Sequence, residues 1–114
     1  MDYPLNEIEL IFYEAAQSIP GLVPQYWIAK YRVDFCIPDK MLIIEIDGKQ
    51  FHGLRRRIFH DRPRQKELER LGYTVIRFTG TEVYRDAAGC ARRVRRWLWL
   101  KSMGLNIERI FPTL

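Results

Sequence analysis

The chain has only two cysteines, Cys36 and Cys90, among its 114 residues. Two unpatterned cysteines build neither a disulfide framework nor a zinc site, so reduced thiols are expected. Long apolar runs are also lacking: nothing approaches the roughly 20 residues that cross a bilayer. Met1 to Asn6 lacks the basic start of a secretory leader. These absences argue against membrane insertion and export, and a soluble, cytoplasmic protein is expected. No internal repeat, linker or low-complexity stretch divides the chain, so residues 1–114 are expected to form a single domain.

What is present is a large apolar fraction and an excess of positive charge. At 47% hydrophobic content the chain can bury a real core. The formal net charge of +5 favours a polyanionic partner such as nucleic acid. The charge is unevenly spread. Asp2, Glu7, Glu9 and Glu14 make the start acidic, whereas Arg55, Arg56, Arg57, Arg62, Arg64, Lys66 and then Arg92, Arg93, Arg95 and Arg96 fill the second half. Such arginines hold phosphates or form solvated helix faces, and the cluster from Arg92 to Arg96 fits either reading.

Periodicity gives the elements. Asn6 and Glu9 have capping-box spacing, and Ile8, Leu10, Ile11, Phe12, Ala15 and Ala16 follow at helical intervals until Pro20-Gly21. Tyr26 to Ala29 is a short strand, after which Tyr31, Val33, Phe35 and Ile37 alternate with Arg32, Asp34 and Cys36. Pro38-Asp39 makes a turn, and Leu42, Ile44 and Ile46 alternate with Ile43, Glu45 and Asp47. Asp61 caps a second helix with Pro63 in its first turn. A strand over Tyr73 to Phe78 and a last helix ended by Gly104 complete the order α-β-β-β-α-β-α, with Ala91, Val94 and Leu98 facing inward. This order predicts an α/β fold, a small mixed sheet flanked by helices.

Within the predicted hairpin, cross-strand partners share a face, so an even-numbered loop places Asp34, Glu45 and Asp47 together. The same parity gathers Val33, Phe35 and Ile37 with Leu42, Ile44 and Ile46, so apolar sorting and carboxylate clustering demand one register. Carboxylates about 4 Å apart repel by roughly 4 kcal/mol at an effective dielectric near 20, and a cation between them relieves this. Hard divalent ions such as Mg²⁺, with Mn²⁺ as a substitute, take such oxygen ligands and assist phosphodiester hydrolysis. His52 has the ordinary pKa to accept or donate the proton that hydrolysis moves, and Asp61 could orient it or add a ligand.

Glu9, "YRVDF", "IIEIDGKQFH", Asp61-Arg62-Pro63-Arg64 and "LGYTVIRFTGTEV", in that order and spacing, resemble the very-short-patch-repair-like branch of the PD-(D/E)XK nuclease superfamily, which includes the phage EDxHD homing endonucleases. The match spans roughly Asn6 to Trp97. The resemblance implies a restriction-endonuclease-like core in which Asp34 is the central metal ligand, Glu45 a second acidic ligand and the Ile46 carbonyl a third. It further implies His52 as general base, Glu9 as the acid of the first helix and Asp61 as a later acid near the imidazole. Asp47 stands where the wider superfamily has lysine; the histidine commonly takes over in this branch, and Lys49 is a candidate replacement. The structural zinc of the repair enzymes needs a cysteine and histidine set that this chain lacks, so none is expected.

The expected function is that of a metal-dependent DNA endonuclease in a bacterial or phage-infected cell. Lys49, Arg55, Arg56, Arg57, Arg62, Arg64, Arg92, Arg93 and Arg96 are the candidate DNA contacts. Cutting both strands would need a homodimer or two encounters, and a separate DNA-binding domain would select the target. The alternative is a non-catalytic nucleic-acid-binding module on a decayed nuclease fold.

Overall fold

The computed structural model describes residues 5–47 and 63–105. Helix α1 (Glu7–Ala16) begins at Asn6, whose side chain accepts from the Glu9 N–H while Glu9 accepts from the Asn6 N–H, the reciprocal box expected from the spacing. Strands β1 (Val23–Ile28), β2 (Tyr31–Ile37) and β3 (Leu42–Asp47) form an antiparallel meander. Helix α2 (63–70) then crosses to β4 (Thr74–Thr79), which pairs with β3 in parallel, and α3 (Gly80–Ser102) follows. The strand order is β1-β2-β3-β4, a mixed sheet as the sequence predicts.

The two sheet faces are covered by different helices. Phe12 and Ala16 of α1 and Val83, Ala91, Val94, Trp97 and Leu100 of α3 pack on Phe35, Ile37, Leu42, Ile44, Ile46, Ile76 and Phe78. Phe12 anchors this layer, its ring 5.0 Å from that of Phe35 and 5.8 Å from that of Phe78. On the other face, Leu68 of α2 packs with Ile28, Val33, Cys36, Ile43 and Val75. Full burial of side chains of this size is worth about 1.5–3 kcal/mol each, which fixes the helices on the sheet. The two free cysteines therefore lie in opposite layers, both buried.

Several expectations are corrected. Strand β1 starts at Val23 rather than Tyr26 and tolerates Pro24 because it is an edge strand. The β2–β3 connection is a 3-10 turn over Pro38–Lys40 followed by left-handed Met41, so four residues separate Ile37 from its partner Leu42. That loop is even and brings Asp34 beside Glu45 as expected. Val33, expected on the face of Phe35 and Ile37, instead packs on the α2 side while those two pack on the α1 and α3 side. The β1–β2 ladder passes from Pro24↔Phe35 to Tyr26↔Val33, skipping Gln25 and Asp34, and Gln25 has φ +53°. Regular alternation along β2 thus breaks between Val33 and Phe35, at the point where the ladder to β1 is interrupted. Leu10 is exposed, and Trp97 rather than Leu98 is the deeply buried residue of its turn, because the face of α3 that meets α1 centres on Val94 and Trp97.

Helix α3 is kinked at Asp86 (φ −156°, ψ 71°). The Asp86 carboxylate accepts from the Gly89 N–H at 2.9 Å and so caps the longer second segment. Gly72, at φ +103°, closes α2 and brings its backbone against Met41. None of the described helices is long and apolar enough to cross a membrane.

Candidate active site

The β2–β3 pairs run from Ile37↔Leu42 to Phe35↔Ile44 and stop one residue short of Asp34 and Glu45. From there the side chains take over the bridging. The Asp34 N–H donates to Glu45 Oε2 at 2.9 Å, and the Ile46 N–H donates to Asp34 Oδ2 at 2.8 Å. Each acid therefore accepts from the backbone of the opposite strand. Two carboxylates stand where a regular ladder would have only main chain, and rigid strands hold both.

Glu9 and Glu45 are the buried charged residues among those described. Glu9 reaches the site from α1, held by the Asn6 N–H at 3.1 Å and by Gln25 Nε2 at 3.2 Å. Its charge lies near enough to Asp34 to act on that carboxyl. Burial, with the Glu45 charge second, pushes Asp34 up to about 7; the Ile46 N–H pulls it part of the way back, and Glu9 adds to the rise.

Glu45 receives its positive partner from α2. Arg64 Nη1 donates to Glu45 Oε1 at 2.6 Å, and Arg64 Nη2 donates to the Arg32 carbonyl at 3.0 Å. Arg64, expected to contact phosphate, turns its guanidinium inward, because α2 docks over the acid-bearing face through Leu68. Asp47 ends β3, half-buried and in register with Thr79, the N-cap of α3. Arg77 pairs in register with Glu45, and its Nε donates to Gln65 Oε1 at 3.1 Å.

His52, Asp61, Lys49, Arg55, Arg56, Arg57 and Arg62 lie outside the described residues. Arg92, Arg93 and Arg96 are exposed on α3, on the sheet face opposite α2, with Arg93 bonded to Glu82 at 3.1 Å and Arg92 3.7 Å from Asp86. Among the described residues, no three His, Cys, Asp or Glu side chains form a metal-holding group. Gln25 and the inward role of Arg64 were missed from the sequence. A glutamine between Pro24 and Tyr26 carries no signal of left-handed backbone, and an arginine in a basic segment carries none of an internal partner.

The REase_MTES_1575 family model matches residues 17–98. Uncharacterized proteins of two Mycobacterium tuberculosis strains are 31% identical over 98 residues, covering 82% of this chain and 35% of theirs. The chain thus spans about a third of the length of these relatives. An uncharacterized protein of Haemophilus influenzae is 37% identical over 71 residues, covering 62% of this chain and 58% of its own. Among solved structures, the catalytic domain of homing endonuclease I-Bth0305I shares the fold, with a TM-score of 0.65 at 19% identity over 82% of this chain and 96% of that domain.

Proposed function

This chain belongs to the REase_MTES_1575 family of restriction-endonuclease-like proteins and is related to the PD-(D/E)XK nucleases, and from that premise we propose that it is a Mg²⁺-dependent DNA endonuclease. The observation that carries the reading is the crossed bonding of Asp34 and Glu45, which fixes two acids side by side at the open end of the β2–β3 ladder.

The donor set fits a hard divalent ion. Mg²⁺ binds through one or two carboxylates and keeps several waters, so Asp34 and Glu45 suffice. The Ile46 N–H points at Asp34, and in a strand the carbonyl of the same residue lies on that edge too, where it would be a third oxygen donor. The bound ion would lower the pKa of the attacking water and offset the charge that grows on the phosphate. Asp34, pushed up to about 7, gives up its proton readily once positive charge is near. Glu9, fixed by the Asn6 N–H and Gln25, adds negative charge near Asp34 from α1. His52 takes the proton of the water or returns it to the leaving oxygen, with Asp61 orienting it, in keeping with the very-short-patch-repair-like branch.

Arg55, Arg56, Arg57 and the exposed Arg92, Arg93 and Arg96 are proposed to hold the DNA backbone. Target selection by a separate domain and duplex cutting by a dimer remain part of the proposal. The non-catalytic alternative draws on one observation, the ion pair by which Arg64 already neutralises Glu45.

Incubation of supercoiled and linear DNA with Mg²⁺ or Mn²⁺ separates the two. Wild type is expected to cleave, and Asp34→Asn and His52→Ala to cleave at least about 100-fold more slowly, the lower range for loss of an acid-base group. Equal cleavage by both variants would show the site misassigned, and no cleavage by wild type would leave the binding module.

A further inference from the structure

Arg64 enters the site from the first turn of α2 and places its guanidinium across the gap where the β2–β3 ladder has opened. One arm meets Glu45 on β3 at 2.6 Å and the other meets the Arg32 carbonyl on β2 at 3.0 Å. The first contact lies at the short end for a charge-assisted N–H···O bond. Its setting is partly desolvated, with side-chain exposures of 22% for Arg64 and 10% for Glu45. The second Glu45 oxygen is engaged as well, by the Asp34 N–H.

Docking of α2 does not depend on this contact. Leu68, one turn further on, is fully buried against β2, β3 and β4, and Glu67 accepts a hydrogen bond from Tyr31 at 2.9 Å. Arg64 therefore adds charge and orientation at Glu45 rather than cohesion of the fold.

Resting on the metal-site reading above, we propose that Arg64 is a positioning residue that acts as the internal counter-cation of Glu45 and competes with a divalent ion for that carboxylate. An ion at Glu45 meets a guanidinium of like charge on the same oxygen. Its arrival weakens the Arg64 contact, and removing Arg64 strengthens its binding.

The test is calorimetric titration of Mn²⁺ into wild type, R64Q and R64K, repeated in an E45Q background. R64Q is expected to bind Mn²⁺ about tenfold more tightly, the scale of one nearby like charge removed. R64K, which keeps the charge, should bind as wild type does, and in the E45Q background R64Q should change nothing. A merely structural arginine would instead weaken or spare Mn²⁺ binding in R64Q, and either result, with wild type binding normally, overturns the proposal while the metal site stands. Absence of Mn²⁺ binding by wild type overturns both. Should R64Q fail to fold, hydrogen exchange at the Arg64 guanidinium in wild type decides: several-fold faster exchange at saturating Mg²⁺ supports competition, and unchanged exchange refutes it.

Discussion

Asp34 on β2 and Glu45 on β3 each accept a hydrogen bond from the other's strand: the Asp34 N–H donates to Glu45 Oε2 at 2.9 Å, and the Ile46 N–H donates to Asp34 Oδ2 at 2.8 Å. Burial, with the neighbouring Glu45 charge second, pushes the Asp34 carboxyl up to about 7, so it holds a proton through the weakly acidic range. The acid pair at the centre of the site therefore makes both stability and ion binding depend on pH.

Asp34 in the unfolded chain titrates near its ordinary value of 3.8, whereas the folded group titrates at about 7. The folded state binds the extra proton, so the contribution of Asp34 is most favourable below the unfolded value. It is lost as pH rises from about 4 to about 7 and changes no further above that. Without divalent ions, urea unfolding of wild type relative to Asp34→Asn should lose a few kcal/mol across that window. Asparagine keeps an acceptor for the Ile46 N–H without the charge. A difference that stays flat between pH 4 and 7 would show that Asp34 does not titrate in that window.

Gly72→Ala tests the approach of α2 to the turn before β3. The position requires φ +103°, and a Cβ there would lie 3.0 Å from the Met41 terminal methyl. Strain of this backbone class costs about 1–2 kcal/mol, so a lowered urea midpoint with an unchanged slope is expected. Full retention of stability would mean that α2 ends differently.

Arg92 and Arg96 are exposed on α3 and are expected to touch phosphates. Each phosphate contact contributes about −0.9 to the slope of log affinity against log salt on duplex DNA. The double variant Arg92→Ala with Arg96→Ala should make that slope less steep by about 1.8. Catalysis-defective Asp34→Asn protein in a fluorescence titration provides the measurement, and an unchanged slope takes α3 out of the interface.

Much of this was legible in the sequence because it depends on neighbours along the chain. The Asn6 and Glu9 capping box needs only three residues of spacing, and the alternation of Leu42 to Asp47 marks a strand with one acid-bearing face. The parity of one short turn is enough to bring Asp34 beside Glu45. Val33 shows where such reasoning stops. It lies on the opposite face from Phe35, where the β1–β2 ladder skips Gln25 and Asp34, against an alternation that looks regular in the letters alone.

The sequence by itself determined the order of the elements, the acid pair and the excess of positive charge, since propensity, periodicity and composition act locally. Only the tertiary structure decided which charges meet. Gln25 reaches Glu9 across 16 residues, Arg64 reaches Glu45 across 19, and the same arginine reaches the Arg32 carbonyl across 32. Those contacts exist because two helices close on opposite faces of one sheet, and the burial that results makes each pairing consequential: it raises Asp34 and turns a basic residue inward to answer Glu45.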